Sequence, residues 1–290
     1  MKKLLLLLLI LLSIFSYSQS SMNMNLLGTN VYPTTQGNDI WGWVDGNNNE
    51  YALVGLRSGF SVVNVTNPSS PSEEFFISDV NSTWRDIKTW GNYAYITTDA
   101  NNPGLLIVDL SDMTGNTYFY RTIFNNSNGS STEFTNAHNI YIDENGVAYI
   151  FGASSNSGVN PTDGVIFLDV DTDPLNPIYL GEWNDFYVHD GMVRGDTMYV
   201  GCVYEGDLYV VDVSNKSNPQ NLGNIGTPND FTHNAWVSDN GDYVFTTDEK
   251  SDAYIGSYDI SDLNNIQEVD RIQSNAGSNS IPHNVHVDGN

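Results

Sequence analysis

Short apolar runs alternate with polar turns along most of the chain, and their order repeats. The stretch from His233 to Ile260 shows one unit: a His-Asn opening with an apolar run, a turn at 239–242, a second apolar run at 243–247, a polar loop and a third apolar run. Runs rich in Val, Ile, Thr and Tyr that are bounded by Gly, Asn and Asp indicate β-strands joined by hairpins. The pattern therefore predicts an all-β fold.

The same order of runs occurs five times, and its opening occurs a sixth time. The openings are spaced 44 to 53 residues apart and each contains an Asn or Asp: Asp39, Asp86, Asn139, Asp190, Asn234 and Asn284. A fourth short strand is predicted after each third run, at residues 74–77, 117–123, 178–183, 220–225 and 266–272. Four strands in about 45–50 residues are typical of a β-propeller blade. The sequence thus predicts a β-propeller of four-stranded blades rather than a tandem β-sandwich, with five complete repeats and the start of a sixth.

The spacing within each repeat indicates that all the first strands present the same face. The opening residue precedes the turn glycine by 5 or 7 residues in all six repeats, which is always an odd number. Because side chains alternate between the two faces of a strand, a change of two residues keeps the core face inward, whereas a change of one would reverse it.

The two ends of the chain depart from the repeat. The segment Leu26–Gly28 resembles the last strand of later repeats, and an extra strand there would let the first and last segments share a blade. The sixth repeat begins at His283 and stops at Asn290. Since an incomplete blade leaves an open edge, we expect the sequence to be truncated at its C-terminus.

Residues 1–20 have the features of a secretory signal peptide, which leaves residues 21–290 as the propeller domain. Lys2 and Lys3 precede a 12-residue apolar core, which is too short to span a bilayer. Cys202 is the only cysteine, so no internal disulfide can form, and we expect it to be buried and not nucleophilic. Loss of the two lysines takes the net charge from −25 to −27. Such a charge disfavours nucleic acid as a partner and leaves a missing anchor as the only expected membrane attachment.

The third runs carry a resemblance to a known family. Leu106-Ile107-Val108-Asp109, Tyr209-Val210-Val211-Asp212 and Phe167-Leu168-Asp169 resemble the LVIVD repeat of bacterial and archaeal surface proteins. With the signal peptide and the His-Asn openings, the whole mature chain is similar to choice-of-anchor B proteins, which join an extracellular repeat domain to different C-terminal anchors. The resemblance implies an extracellular or cell-surface propeller and implies no particular activity.

Four of the five histidines occupy one repeat position, immediately before the opening Asn or Asp: His138, His189, His233 and His283. First strands line the channel of a propeller, so these side chains are predicted to form a ring that could hold a divalent transition metal or supply acid–base groups. The favoured interpretation is structural, with each residue bonded to a loop of the neighbouring blade. Asn38 and Arg85 take the same position in the first two repeats.

Other acidic residues are interpreted as structural. The carboxylates that close the third runs are expected to cap turns: Asp109, Asp169, Asp212 and Asp259. Residues 169–180 lack the glycine and glutamate of a calcium loop, whereas 248–252 could bind calcium weakly and without specificity. Most of the tryptophans in or near the first strands are expected in the core, with one or two at a channel mouth.

Two functions follow from these observations. The leading hypothesis is a non-enzymatic, secreted or surface-anchored propeller that binds a protein, glycan or small ligand on one face, with no catalytic residues or organic cofactor. The alternative is a metal-dependent hydrolase or oxidoreductase that uses the histidine ring.

Overall fold

The computed structural model describes residues 24–101, 103–155, 163–273 and 275–288. Within these ranges every regular element is a β-strand. The described residues include no helix that is long and apolar enough to cross a membrane. The predicted signal peptide at residues 1–20 lies outside the described residues.

Twenty of the strands form five antiparallel sheets of four strands, and each sheet keeps the order of the sequence. Blade 1 contains β1 (Gly37–Val44), β2 (Glu50–Leu56), β3 (Gly59–Asn64) and β4 (Ser72–Ser78). Blade 2 contains β5 (Arg85–Trp90), β6 (Tyr93–Thr98), β7 (Leu105–Asp109) and β8 (Tyr118–Arg121). A separate hairpin follows, β9 (Ile123–Asn125) and β10 (Ser131–Glu133).

The remaining three blades have the same organisation. Blade 3 contains β11 (Asn139–Ile142), β12 (Val147–Phe151), β13 (Val165–Asp169) and β14 (Ile178–Trp183). Blade 4 contains β15 (Asp190–Arg194), β16 (Thr197–Cys202), β17 (Asp207–Asp212) and β18 (Gln220–Gly226). Blade 5 contains β19 (Thr232–Val237), β20 (Tyr243–Asp248), β21 (Ile255–Asp259) and β22 (Gln267–Ile272). The predicted β-propeller of four-stranded blades is confirmed.

The third strand of each interior blade is buried on both faces, which explains its uninterrupted apolar sequence. In β7, Leu106 and Val108 pack in the cluster shared with blade 1, whereas Leu105 and Ile107 pack in the cluster shared with blade 3. The third strands of blades 3 and 4 divide in the same way, with Ile166, Leu168, Tyr209 and Val211 toward the preceding blade and Val165, Phe167, Leu208 and Val210 toward the following one. Alternate side chains thus bind each blade to both of its neighbours.

The two end blades have one face without a neighbouring blade among the described residues. The third strand of blade 5 accordingly has the polar Ser257 where interior blades have an apolar residue, and Ser257 is only partly buried. In blade 1 the residues of the N-terminal segment cover part of the free face, and the Tyr32 hydroxyl donates to Ser61 Oγ at 2.8 Å. Polar residues on these faces are the expected result where no second sheet packs.

The predictions for the chain ends were wrong in detail. Residues 24–36 contain no strand, because the described residues include no sixth four-stranded blade for it to join, and Gly28 instead lies against the loop at Pro68 and Pro71. The segment 275–288 also contains no strand. The described residues contain no second strand of this repeat with which it could pair, and Val285 N–H instead donates to the side chain of Asn234 at 3.1 Å.

Sequence reasoning also missed the β9–β10 hairpin, since residues 117–123 were predicted to form one strand. The chain leaves blade 2 after Arg121 and turns back on itself before blade 3 begins. Phe124 and Phe134 stack with their ring centroids 5.0 Å apart and are buried in the cluster between blades 2 and 3. The hairpin thus contributes to an interface between blades.

Glycines allow two of the connections between first and second strands to be only two residues long. Gly91 and Gly195 both have φ +56°, a left-handed conformation that costs other residues roughly 1–2 kcal/mol. Gly91 is the first residue of the two-residue connection between β5 and β6, and Gly195 is the first residue of the one between β15 and β16. The short connections keep the first strands in fixed register with the second strands.

Truncation of a residue between two blades should destabilise the whole propeller. Ile150 in β12 is 0% exposed, and Ile272 in β22 is 59% exposed. We expect Ile150→Ala to lower the free energy of unfolding by about 2–5 kcal/mol, because it leaves a cavity between blades 2 and 3. Ile272→Ala is the matched control and should change it by less than about 0.5 kcal/mol in the same denaturant titration. Equal effects of the two changes would contradict the assigned packing.

Candidate functional site at the centre of the propeller

The five first strands surround a common axis. Neighbouring contacts run from β1 to β5, β11, β15 and β19 in turn, so the blades follow one another around the centre. Residues 283–286 lie beside blade 5, where Val285 N–H donates to Asn234 of β19 at 3.1 Å and Thr247 Oγ1 of β20 donates to the carbonyl oxygen of His283 at 2.5 Å. The structure therefore brings all six repeat openings to one place, although the sixth is not a strand.

In blades 4 and 5, a β-bulge at the start of the first strand turns two consecutive side chains toward the axis. In blade 4, His189 N–H donates to the carbonyl oxygen of Gly201, and Gly201 is also the residue opposite Asp190. In blade 5, the register shifts between Thr232 and Asn234, so that the intervening His233 has no partner on β20. Alternation along a regular strand would have sent the two side chains to opposite faces.

The four predicted histidines form a continuous row. Ring centroids are 4.0 Å apart between His138 and His189, 4.2 Å between His189 and His233, and 4.1 Å between His233 and His283. Trp84 closes the circle, with centroid distances of 6.1 Å to His138 and 6.2 Å to His283. We call the four imidazoles the histidine ring.

Trp84 was not assigned to this site from the sequence, because Arg85 occupies the histidine position of its repeat. The Arg85 side chain points away from the axis and donates to the carbonyl oxygens of Leu56 and Val80 and to the carboxylate of Asp79. The structural interpretation, in which the residue fixes a loop of the neighbouring blade, thus describes Arg85. The signal in the sequence that could have identified Trp84 is its position immediately before Arg85.

Removal of the Arg85 guanidinium should be strongly destabilising. The side chains of Arg85 and Asp79 are 0% and 4% exposed, so Arg85→Met leaves a buried carboxylate without its charge partner. We expect a loss of about 3–5 kcal/mol in the free energy of unfolding, measured by chemical denaturation.

The paired change Arg85→Met with Asp79→Leu removes both charges and should recover part of that loss. If Arg85→Met alone changed the free energy of unfolding by less than about 1 kcal/mol, the ion pair would not have the assigned role.

The histidines differ in their electrostatic surroundings. Burial lowers the pKa of His138, but the hydrogen bond and charge of Asp99, whose carboxylate lies 3.0 Å from His138 Nδ1, outweigh this and leave the pKa raised. Burial and the neighbouring imidazoles lower the pKa of His189 to about 2 and that of His233 to about 3. The latter two are therefore neutral at pH 7. Among the described residues, the Nδ1 atoms of both have no hydrogen-bond partner.

Glu249 joins this row from the loop after β20. Its carboxylate oxygens lie 3.6 Å from His233 Nε2 and 3.8 Å from His283 Nε2. One ligand atom each from His189, His233 and Glu249 lie within 4.8 Å of one another, an arrangement that could hold a metal ion. The sequence places Glu249 only within the acidic stretch 248–252, for which weak and unspecific calcium binding is predicted. The other two acidic residues of this stretch, Asp248 and Asp252, have different roles.

Those roles are structural. Asp248 is fully buried and accepts hydrogen bonds from the Thr227 hydroxyl and the backbone of Asn229. Asp252 accepts from the N–H groups of Gly277 and Asn279, each at 3.0 Å. Both carboxylates thus fix the loops around blade 5.

The opening Asn and Asp residues form a second layer, which we call the carboxylate tier: Asp39, Asp86, Asn139, Asp190, Asn234 and Asn284. Asp190 accepts hydrogen bonds from the amides of Asn234 and Asn284 at 3.0 and 2.8 Å. Burial raises the pKa of Asp190. Since the six residues face the channel, the prediction that all openings present the same face is confirmed.

Lys88 neutralises part of this tier. Its ammonium group lies 2.5 Å from Asp86 Oδ1 and 4.6 Å from the centre of the Trp41 ring. Burial alone would lower the pKa of Lys88, but Asp86 and Asp39 outweigh it and hold the pKa above its ordinary value. Burial and the charge of Asp86 raise the pKa of Asp39 to about 7. Asp39 and Asp86 therefore resist being charged together.

The raised pKa of Asp39 predicts a pH dependence of stability. The folded protein holds a proton on Asp39 up to about pH 7, whereas the unfolded chain releases it near the ordinary pKa of 3.8. The resulting stabilisation is complete below the unfolded pKa and is lost as pH rises through the folded value. Asp39→Asn should abolish this loss, so the variant gains up to about 4 kcal/mol relative to the native chain between about pH 4 and pH 8.

Asp212→Asn is the control for this comparison. Hydrogen bonds from Ser214 lower the pKa of Asp212, so this exposed group stays charged across the whole interval. Its effect on unfolding should not vary with pH there. A pH-independent effect of Asp39→Asn would refute the assignment.

Two cavities that share several lining residues occupy the channel. The one at the histidine ring has a volume of about 390 Å³ and includes Trp84 in its lining. The one below the carboxylate tier has about 90 Å³ and is lined in part by Trp41, Trp236 and His286. His286 contacts Trp236 with ring centroids 4.4 Å apart. Three tryptophans thus reach the channel, whereas the sequence predicted one or two.

A cavity larger than these two lies away from the axis. It has a volume of about 870 Å³ and is formed by the N-terminal residues 24–32 against the free face of blade 1. Its lining includes Leu26, Leu27, Val54 and Val63 and offers few polar groups. It reflects the absence of a neighbouring sheet on this face.

Two other predictions for polar residues are confirmed. Each carboxylate that closes a third run accepts a hydrogen bond from the backbone N–H two residues later, at 2.8 to 3.0 Å: Asp109, Asp169, Asp212 and Asp259. Cys202 is buried, and burial raises the pKa of its thiol, so it is unsuited to nucleophilic attack.

The radial sheets and the polar central channel define the chain as a β-propeller. Three of its stretches, residues 43–79, 83–117 and 187–227, match the LVIVD repeat, so it is a propeller that contains LVIVD repeats. These stretches correspond to blades 1, 2 and 4. No curated protein matches the sequence significantly.

Solved structures share the fold at low sequence identity. One is a functionally unknown protein from Desulfotomaculum acetoxidans DSM 771, with a TM-score of 0.56 and 15% identity over 81% of this chain and 69% of that one. A protein from Lactobacillus plantarum has a TM-score of 0.57 and 11% identity, over 77% of this chain and 65% of that one. The β-propeller domain of Cps50 (Swd1) from Myceliophteria thermophila has a TM-score of 0.52 and 10% identity, over 83% of this chain and 75% of that one. At these identities the likeness concerns the fold alone.

Proposed function

We propose that the protein is a secreted or surface-attached β-propeller that binds a small, positively charged ligand at the histidine-ring end of its channel, without catalysis. The observation that carries the proposal is the cavity of about 390 Å³ at this end, where Trp84, the histidine ring and the carboxylate tier converge. Small-molecule sites are typically concave, roughly 300–1,000 Å³ in volume, and contain a few convergent polar groups.

The sign of the ligand charge follows from the groups around the channel. Asp86, Asp190 and Glu249 outnumber the single lysine, Lys88, that faces them. Trp84 adds an aromatic face that is 43% exposed. Carboxylates together with an exposed indole favour amines and guanidinium groups.

Export and attachment are part of the proposal. The basic residues and apolar core of residues 1–20 support secretion, and the LVIVD repeats support membership of the choice-of-anchor B group of surface proteins. The acidic composition, with 35 Asp and Glu against 10 Lys and Arg, disfavours nucleic acid as the ligand.

The alternative, a metal-dependent hydrolase or oxidoreductase, is favoured by one observation, the proximity of His189, His233 and Glu249. Two histidines and a carboxylate are a ligand set of zinc hydrolases. This alternative requires a bound metal, which can be tested independently of any reaction.

Ligand binding can be tested by thermal unfolding of the exported chain in EDTA, with arginine, choline, glucosamine and spermidine as probes. We expect at least one probe to raise the melting temperature in a concentration-dependent way. Trp84→Ala should abolish this shift because it removes the aromatic face at the ring. Tyr118→Ala should preserve it, since Tyr118 is similarly exposed, at 40%, on an outer strand.

Two results would overturn the proposal: no shift with any of the four probes, or an equal shift in the native chain and in Trp84→Ala. The EDTA keeps the result independent of metal binding.

A further inference from the structure

We infer that His189, His233 and Glu249, with His283 as a fourth ligand, form a binding site for one divalent transition-metal ion, with zinc as the best-suited metal. The inference holds whether or not the channel also binds an organic ligand. It differs from the sequence prediction in two respects: Glu249 enters the site and His138 leaves it.

The distances are close to those of a coordination sphere. Ligand bonds of about 2.0–2.2 Å in a tetrahedral site place neighbouring ligand atoms roughly 3.3–3.6 Å apart. His233 Nε2 and Glu249 Oε2 are 3.6 Å apart, and His283 Nε2 and Glu249 Oε1 are 3.8 Å apart. The atom from His189 lies within 4.8 Å of those from His233 and Glu249. Small rotations of the imidazoles would complete the geometry.

The donor types select the class of metal. Imidazole nitrogen suits zinc, copper, nickel and iron, whereas calcium and magnesium prefer oxygen ligands. The site offers up to three imidazoles and one carboxylate. Among these metals zinc accepts a four-coordinate arrangement of nitrogen and oxygen ligands without a redox requirement.

Glu249 is held in a position that serves this site. Its backbone N–H donates to the carbonyl oxygen of Phe231 at 3.2 Å, which ties the loop to the start of β19. The neighbouring Lys250 points elsewhere and donates to the carbonyl oxygens of Asn229 and Asp230. The carboxylate thus faces two imidazoles rather than the nearest lysine.

His138 is excluded from the site by its own partner. Its Nδ1 faces the carboxylate of Asp99 in blade 2, and it is not in the group of ligand atoms that approach one another. It therefore has the structural role expected from the sequence, a contact with the loop of a neighbouring blade. His138 and His286 provide natural controls, since neither belongs to this group of ligand atoms.

The proposed ligands come from three parts of the fold. His189 belongs to the start of blade 4, His233 and Glu249 to blade 5, and His283 to the segment beyond the last strand. An ion at this position would link them. Metal binding should therefore stabilise the fold as well as occupy the channel, because an ion that binds only the folded state raises its stability.

The test uses the exported chain freed of metal with EDTA and then dialysed. We expect zinc titration by calorimetry to give one ion per chain, confirmed by elemental analysis after gel filtration, together with a higher melting temperature. Glu249→Gln keeps the shape but removes the charged ligand, and should weaken zinc binding roughly tenfold or more. His189→Asn and His233→Asn should weaken it by about 100-fold or more.

His138→Asn and His286→Asn should bind zinc within about threefold of the native chain, since neither belongs to the site. Cobalt is a second probe: its visible absorption should indicate a tetrahedral site in the native chain and in both controls, and should change in Glu249→Gln. Melting without metal shows whether each variant folds.

The absence of stoichiometric zinc binding by the native chain would overturn the inference. So would equal zinc affinity of the native chain and Glu249→Gln, or a loss of affinity in His138→Asn as large as in His233→Asn.

Discussion

The propeller depends on burial of both faces of each interior blade. A single sheet of four strands cannot hide two apolar surfaces, so each blade needs a neighbour on either side. The third strand contributes to both interfaces of its blade, because its alternate side chains belong to two different clusters. In the middle of the third strand, a serine replaces the apolar residue in the two end blades, Ser257 in blade 5 and Ser61 in blade 1.

The channel follows from the same arrangement. Sheets that pack face to face around an axis bring their first strands together, and the side chains there contact one another rather than a sheet. Bulges at the start of the first strands of blades 4 and 5 turn a second side chain inward, which adds His189 and His233 to the polar groups at the centre. Their surroundings then separate their chemistry: burial and the neighbouring imidazoles lower the pKa values of His189 and His233, whereas Asp99 raises the pKa of His138.

The sequence was sufficient to predict the class of fold and the repeat positions that face the axis, because alternation and turn residues report on local geometry. Strand β14 was predicted to the residue. The pattern could not reveal Trp84, whose role depends on Arg85 turning away, or Glu249, which comes from a loop of variable length. The roles of Trp84 and Glu249 depend on contacts in the folded chain with segments whose positions the repeat spacing does not predict. The predicted terminal strands failed because a strand requires a partner that its own sequence does not contain.

A blade buried on both sides meets its two neighbours through surfaces of the same character. A duplicated copy of the gene segment for one blade would therefore encode a unit that already fits on either side. Lineages that carry this architecture are expected to gain or lose whole blades, and the width of the axial passage is expected to change in discrete steps as they do so.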